Sequence, residues 1–119
     1  MKVKRIVANI GTAGEQMAVA RRFYAEFLGL EIVMDVGWIV TFAGAGQAPP
    51  QLSIATEGGS GTPVPDLSIE VDDVDEAHRR VIAAGLSPEY GPADEPWGVR
   101  RFYIRDPLGR LLNIMAHRA

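Results

Sequence analysis

The chain has 119 residues, no cysteine, 47% hydrophobic and 23% charged residues, and a formal net charge of -3 at neutral pH. Without cysteine, disulfides, zinc-thiolate centres and cysteine nucleophiles are excluded, and stability has to come from packing. A slightly acidic chain of ordinary hydrophobicity gives no electrostatic basis for nucleic-acid binding, and the length sets the expectation of a single domain over 1–119. No stretch approaches the length needed to span a bilayer, so a cytoplasmic location without a membrane partner is expected.

Residues 3–10 alternate Ile6, Ala8 and Ile10 with Arg5, Val7 and Asn9, the period of a half-buried strand. Thr12 precedes Glu15 at capping-box spacing, and Met17, Ala20, Tyr24, Phe27 and Leu28 fall on one helical stripe ending at Gly29. Three short strands follow, over 30–36, 38–43 and 51–55, which closes a first module at about 1–56. The polar, glycine-rich stretch 57–65 reads as a connector; it has neither the strand-to-helix context nor the lysine of a phosphate-binding loop.

Beyond it Leu67, Ile69 and Val71 alternate with Asp66, Ser68 and Glu70, and Asp73 stands three residues before Glu76 at the head of a helix. That helix carries Val74, Ala77, Val81 and Ala84 and ends at Gly85. Strands over about 88–90, 99–105 and 110–116 complete a second module at about 66–119. The two helix-ending glycines, Gly29 and Gly85, stand 56 positions apart, and each is followed by leucine. The chain therefore reads as an internal repeat of α+β class, two tandem βαβββ modules.

The last two strands are joined by Asp106-Pro107-Leu108-Gly109, where proline fixes φ at the second turn position and Gly109 can take the positive φ that closes the turn. On the strand before the turn, alternation sets Val99, Arg101, Tyr103 and Arg105 on one face and Arg100, Phe102 and Ile104 on the other. Phe102 and Ile104 suit a helix-facing core, which turns Arg101 and Tyr103 the opposite way. A guanidinium fork beside a phenol suits a carboxylate or phosphate on a small molecule; the alternative is an ion pair of Arg101 with a carboxylate such as Asp66. Trp38 and Trp97, at turn edges, suit the walls of a pocket or packing at a core or interface. His78, in step with Val74 and Ile82, reads as a partly buried structural histidine, and His117 as a frayed terminal one or, alternatively, a general base at the mouth of a cleft.

The two βαβββ units, the helix end Phe23-Tyr24-Ala25-Glu26-Phe27-Leu28-Gly29-Leu30, the passage Ile69-Glu70-Val71-Asp72-Asp73-Val74-Asp75 and the Asp106-Pro107-Leu108-Gly109 hairpin together resemble the vicinal oxygen chelate family. Glyoxalases, extradiol dioxygenases, fosfomycin-resistance enzymes and bleomycin-binding proteins belong to that group. The resemblance covers nearly the whole chain. It implies modules that curve a mixed sheet around a cleft with helices outside, and pairing as homodimers.

Metal-using members place His, Gln or Glu ligands on the cavity faces of the first and last strands of each half. Matched position by position, the usual histidine of the second half falls on Asp66 and the usual glutamate of the last strand on Asn113. The first strand offers Arg5, Val7 or Asn9, and the last strand of the first half offers Gln51 and Ser53. One carboxylate with neutral amides is a poor donor set for a catalytic divalent ion, and an arginine in the same cleft would repel it.

The resemblance therefore implies a member without metal or other cofactor that binds a small aromatic or anionic molecule, as resistance and sequestering proteins do. Arg5, Asn9, Trp38, Asp66, Trp97, Arg101, Tyr103 and Asn113 are the expected ligand-binding residues. The alternatives are a lyase, isomerase or dioxygenase of the glyoxalase type, its divalent metal held by Asp66, Asn113 and Gln51, and a dimeric accessory domain.

Overall fold

The computed structural model describes residues 1–118. The chain divides into two compact units, residues 7–64 and residues 1–6 together with the chain from Pro65 onward. The first six residues belong to the unit that resumes at Pro65. Their bonds give the reason. The Lys2 N–H donates to the Asp72 carboxylate at 2.8 Å, the Lys2 carbonyl accepts from the Asp72 N–H at 3.0 Å, and Arg5 Nε donates to Glu70 at 2.9 Å.

The first module contains β1 (Val3–Gly11), a helical segment, β2 (Glu31–Asp35), β3 (Ile39–Ala43) and β4 (Gln51–Ala55). Its strand order is β2-β3-β4-β1, with β1 parallel to β4 and the other pairs antiparallel. The helical segment is a 3-10 turn at Gly14–Gln16, then α1 (Met17–Arg21), then a wide π turn at Arg22–Phe27. Thr12 does not cap it: Ala13 holds the cap position without a side-chain bond, and the Thr12 N–H goes to the Ala55 carbonyl.

Met17, Val40, Phe42 and Ile54 form the core of this module, joined by Ala20, Tyr24 and Leu52. Phe27 and Leu28, expected on the buried stripe, are instead 77% and 53% exposed. The Leu28 N–H bonds to the Phe23 carbonyl five residues back, and that widened turn rotates the end of the helix off the face that Met17, Ala20 and Tyr24 bury. On β1 the buried residue is Val7, while Ile6 and Ile10 are exposed.

The second module contains β5 (Leu67–Val71), α2 (Val74–Ala83), β6 (Tyr90–Asp94), β7 (Val99–Arg105) and β8 (Leu111–His117) in the order β5-β8-β7-β6. Again the first and last strands are parallel neighbours and the rest antiparallel, so the expected repeat of βαβββ units is present. Asp73 caps α2 as its spacing predicts, its carboxylate accepting from the Glu76 N–H at 3.0 Å. Val74 and Ala77 of α2 cluster with Val71, Phe102 and Ile104 of the sheet, and the His78 ring meets Phe102 edge-on at 5.4 Å. Asp106 Oδ1 accepts from the Leu108 and Arg110 N–H groups at 2.8 and 2.9 Å, and Gly109 has φ 83°, so the hairpin closes as expected. Strand β6 begins at Tyr90 rather than ending there, because its ladder to β7 starts at the Tyr90 to Tyr103 pair and is bulged before Ala93. Among the described residues no helix is long and apolar enough to cross a membrane.

Candidate functional site

On β7, Phe102 and Ile104 enter the core beneath α2, so Arg101 and Tyr103 lie on the opposite sheet face, as alternation requires. Ladder register then assembles a row across the module. Ser68 on β5 is opposite Asn113 on β8, Asn113 is opposite Tyr103 on β7, and Tyr103 is opposite Tyr90 on β6. Asn113 Nδ2 donates to Ser68 Oγ at 3.0 Å. The adjacent row carries Glu70, Met115, Arg101 and Ala93.

On the first row Tyr103 is 1% and Asn113 8% exposed, with Ser68 and Tyr90 half-buried; beside them Arg101 is 2% and Glu95 4% exposed. Arg101 Nη2 lies 2.6 Å from the Glu95 carboxylate, Arg101 Nε donates to it at 2.7 Å, and Arg101 Nη1 donates to the Tyr103 hydroxyl at 2.9 Å. The Tyr90 hydroxyl donates to Glu95 at 3.1 Å. The guanidinium also faces the rings of Trp97 and Tyr103, each 4.9 Å away, and of Tyr90 at 5.3 Å. A buried cation is thus held by a buried carboxylate and three aromatic rings, an arrangement in which the charge is compensated before any ligand arrives.

Beside this cluster, Glu70 gathers Arg5 at 2.9 Å, His117 Nδ1 at 2.9 Å and Lys4 at 3.8 Å. Burial pushes the Glu70 carboxyl up, but the hydrogen bond to His117 and the charges of Arg5 and Lys4 outweigh it and hold the group below its ordinary value. His117 is therefore not frayed; it closes β8 opposite Val99 and anchors to Glu70.

Asp66 stands at the entry to β5. It is exposed, and its carboxylate accepts from the Leu111 N–H at 3.0 Å, while Arg101, its alternative ion-pair partner, meets Glu95. The β5 residue that faces Asn113 is Ser68, two positions on. In the first module Asn9 is opposite Ser53, and Ser53 Oγ is 2.7 Å from Thr41 Oγ1 in a buried pair. Gln51 is half-buried opposite Ala43, and half-buried Trp38 accepts the Thr56 N–H on its carbonyl at 2.8 Å. The second module thus brings Trp97, Arg101, Tyr103 and Asn113 together, with Arg5 beside Glu70; Asn9, Trp38 and Gln51 belong to the first.

Ser68, Tyr90 and Glu95 were not anticipated as site residues. Glu95 reaches Arg101 because the loop before β7 folds back, with the Glu95 N–H bonded to the Val99 carbonyl at 2.8 Å and the Gly98 N–H to the Glu95 carbonyl at 3.1 Å. The sequence signal available was a glutamate inside Asp94-Glu95-Pro96-Trp97-Gly98, a turn composition directly before a strand that carries an inward arginine.

Among the described residues no group of three or more His, Cys, Asp or Glu side chains could hold a metal ion.

A family model described as the Glyoxalase/Bleomycin resistance protein/Dioxygenase superfamily matches residues 7–114. Among solved structures, one described as an NAD-dependent benzaldehyde dehydrogenase from Legionella pneumophila aligns at TM-score 0.72 and 19% identity over 96% of this chain and 100% of its own. A glyoxalase/bleomycin resistance protein/dioxygenase superfamily member from Vibrio splendidus 12B01 aligns at TM-score 0.63 and 20% identity, covering 94% and 97%. Methylmalonyl-CoA epimerase from Mycobacterium tuberculosis aligns at TM-score 0.62 and 19% identity, covering 98% and 88%. At these identities the likeness is one of fold. No curated protein matches the chain.

Proposed function

Because the chain belongs to the glyoxalase/bleomycin resistance protein/dioxygenase superfamily, we propose that it binds a small, largely aromatic organic molecule on the sheet face that carries Ser68, Asn113 and Tyr103, without a catalytic metal. The observation that carries this reading is the row itself: a buried amide flanked by a hydroxyl and a phenol, backed by three aromatic rings and a compensated ion pair. Aromatic walls with a few fixed polar groups are the makings of a small-molecule site. In support of the metal-free part, the alternative set Asp66, Asn113 and Gln51 offers one carboxylate and two neutral amides, and one Asp66 oxygen already accepts from the Leu111 N–H.

Metal analysis of the purified protein, followed by a thermal-shift screen of aromatic compounds with and without chelator, tests both parts. The expected outcome is less than stoichiometric transition metal, an unchanged melting temperature in chelator, and stabilisation by at least one compound. Stoichiometric metal lost together with stability would overturn the metal-free reading.

We also propose that the chain forms a homodimer. In support, Val19, Phe23 and Phe27 repeat every four residues along the first helical segment and are 55%, 48% and 77% exposed, with Phe23 stacked on Phe27 at 5.4 Å. Apolar rings left outside a core in this number are suited to cover by a partner surface. Light scattering at micromolar concentration should give twice the chain mass, and a monomer would refute it.

A further inference from the structure

Resting on the small-molecule reading above, we propose that the ligand is a neutral molecule that presents an N–H or O–H donor to Asn113 Oδ1, in preference to a carboxylate or phosphate held by Arg101. Two independent observations lead there.

The first is the state of Arg101. Its guanidinium meets Glu95 at 2.6 Å with both side chains under 5% exposed, and its Nη1 is bonded to Tyr103. An anion approaching this cation would meet a charge already cancelled and a buried carboxylate that repels it.

The second is Asn113. A primary amide has two donors and an acceptor to satisfy, and in this side chain Nδ2 is bonded to Ser68 Oγ. Oδ1 is buried and has no hydrogen-bond partner among the described residues. A buried carbonyl oxygen left without a donor is a standing cost, relieved when a donor is supplied. The residue is 8% exposed as a whole, so a ligand reaches the oxygen only as the amide swings outward about its last side-chain torsion, which is a broad, soft rotation. Its neighbours on the row, Ser68 and Tyr103, are neutral hydroxyl groups. Polar recognition on this row is therefore by uncharged hydrogen bonding, and a carboxylate or phosphate would set acceptor against acceptor at Asn113.

The test uses three probes of one shape: benzamide (neutral, with N–H donors), methyl benzoate (neutral, acceptor only) and benzoate (anionic). Each is titrated into the full chain while the backbone and Asn113 side-chain amide resonances are followed by NMR. Benzamide should shift Ser68, Tyr103 and the Asn113 side-chain resonances and bind about tenfold more tightly than either benzoate or methyl benzoate, the ratio expected for one well-placed hydrogen bond. The Asn113→Leu variant, of similar volume but without the acceptor, should bind benzamide and methyl benzoate alike.

That comparison within the wild-type protein stands even if the variant fails to fold. Benzoate binding as tightly as benzamide overturns the neutral-donor inference and leaves the small-molecule reading intact. Methyl benzoate matching benzamide overturns it too, because an acceptor-only probe would then be satisfied at Asn113. Absence of any shift on this face with all three probes removes the small-molecule reading beneath it.

Discussion

The same ladder positions in the two modules carry different chemistry. In the first, the row on β1, β4, β3 and β2 is Asn9, Ser53, Thr41 and Met34; in the second, the row on β5, β8, β7 and β6 is Ser68, Asn113, Tyr103 and Tyr90. Small hydroxyls satisfy each other in the first row, with Thr41 and Ser53 at 2.7 Å. In the second, a large amide and two phenols stand beside a buried ion pair. The helices differ in the same direction. A side chain caps α2, whereas the first helical segment starts without such a cap, changes its turn twice and ends with exposed aromatic rings. One topology thus supports a specialised polar face in one copy and a plainer face with an apolar outer surface in the other, and the variants below probe whether the energetics follow.

The largest effect is expected at Glu95. Glu95→Ala leaves the Arg101 charge 3% exposed without its carboxylate and should cost about 3–5 kcal/mol in urea unfolding. Ser53→Ala in the first module, which removes one neutral hydroxyl pair, should cost about 1 kcal/mol. The paired change Glu95→Leu with Arg101→Met should recover most of the loss, because apolar groups of similar volume need no compensation. A Glu95→Ala cost no larger than that of Ser53→Ala would erase the contrast between the rows.

Next comes Gly91, where β6 bulges against β7. With φ +78°, a Cβ there would sit 2.5 Å from the Arg101 carbonyl oxygen and 3.1 Å from Phe102 Cα, both main-chain atoms that cannot step aside. Gly91→Ala should cost about 2–4 kcal/mol and lift β6, with Tyr90, away from the Arg101 cluster. Loss of tyrosine near-UV dichroism together with stability is the measurement. Unchanged stability would mean that β6 is free to move and that the second row is less rigid than its packing indicates.

How far these features could be read beforehand depends on how local their causes are. The repeat was legible because capping residues, helix-ending glycines and strand alternation act within a few positions, and Asp73, Phe102 and Tyr103 behave as their spacing predicts. Arg101 lies on the face that alternation gives it, but the sequence does not name Glu95 as its ion-pair partner, since that carboxylate approaches only after the loop before β7 has folded back. Asp66 is singled out by the family match alone, and because the sequence does not mark where the connector stops and β5 begins, that match does not separate it from Ser68, two residues on. The π turn was invisible for a similar reason. Nothing in Arg22–Phe27 distinguishes a wide turn from a regular one, yet it decides that Phe27 lies outside the core.

A smaller effect is expected on acidification. Because Glu70 is held below its ordinary carboxylate range, the stability it contributes is present above that range and is lost as pH falls through the depressed value. Glu70→Gln should cost about 1.5 kcal/mol at neutral pH, the low end for hydrogen bonds to a charged group, and the variant and wild-type curves should converge in acid. The exposed Arg21 to Asp35 pair of the first module, at 2.6 Å, should contribute no more than about 0.5 kcal/mol. Curves for Glu70→Gln and wild type that stay parallel across the acid range would assign the difference to packing instead of charge.

The smallest expected difference concerns how the two helices begin. The Asp73 carboxylate satisfies the Glu76 N–H, one of the amides a helix start leaves without a partner, so Asp73→Ala should cost about 1 kcal/mol. Thr12 has the same three-residue spacing to Glu15, but the helix starts two residues later, and the Thr12 main chain is bonded to Ala55 through its N–H, which alanine preserves. Thr12→Ala should therefore change stability by no more than about 0.5 kcal/mol. The pair of variants isolates capping from composition, since both replace a polar residue by alanine at a matched offset from a glutamate. Urea unfolding of the two variants, measured side by side, decides it. Equal costs would mean that Thr12 supports the first helix in solution as Asp73 supports the second, and the difference between the two helix starts would disappear.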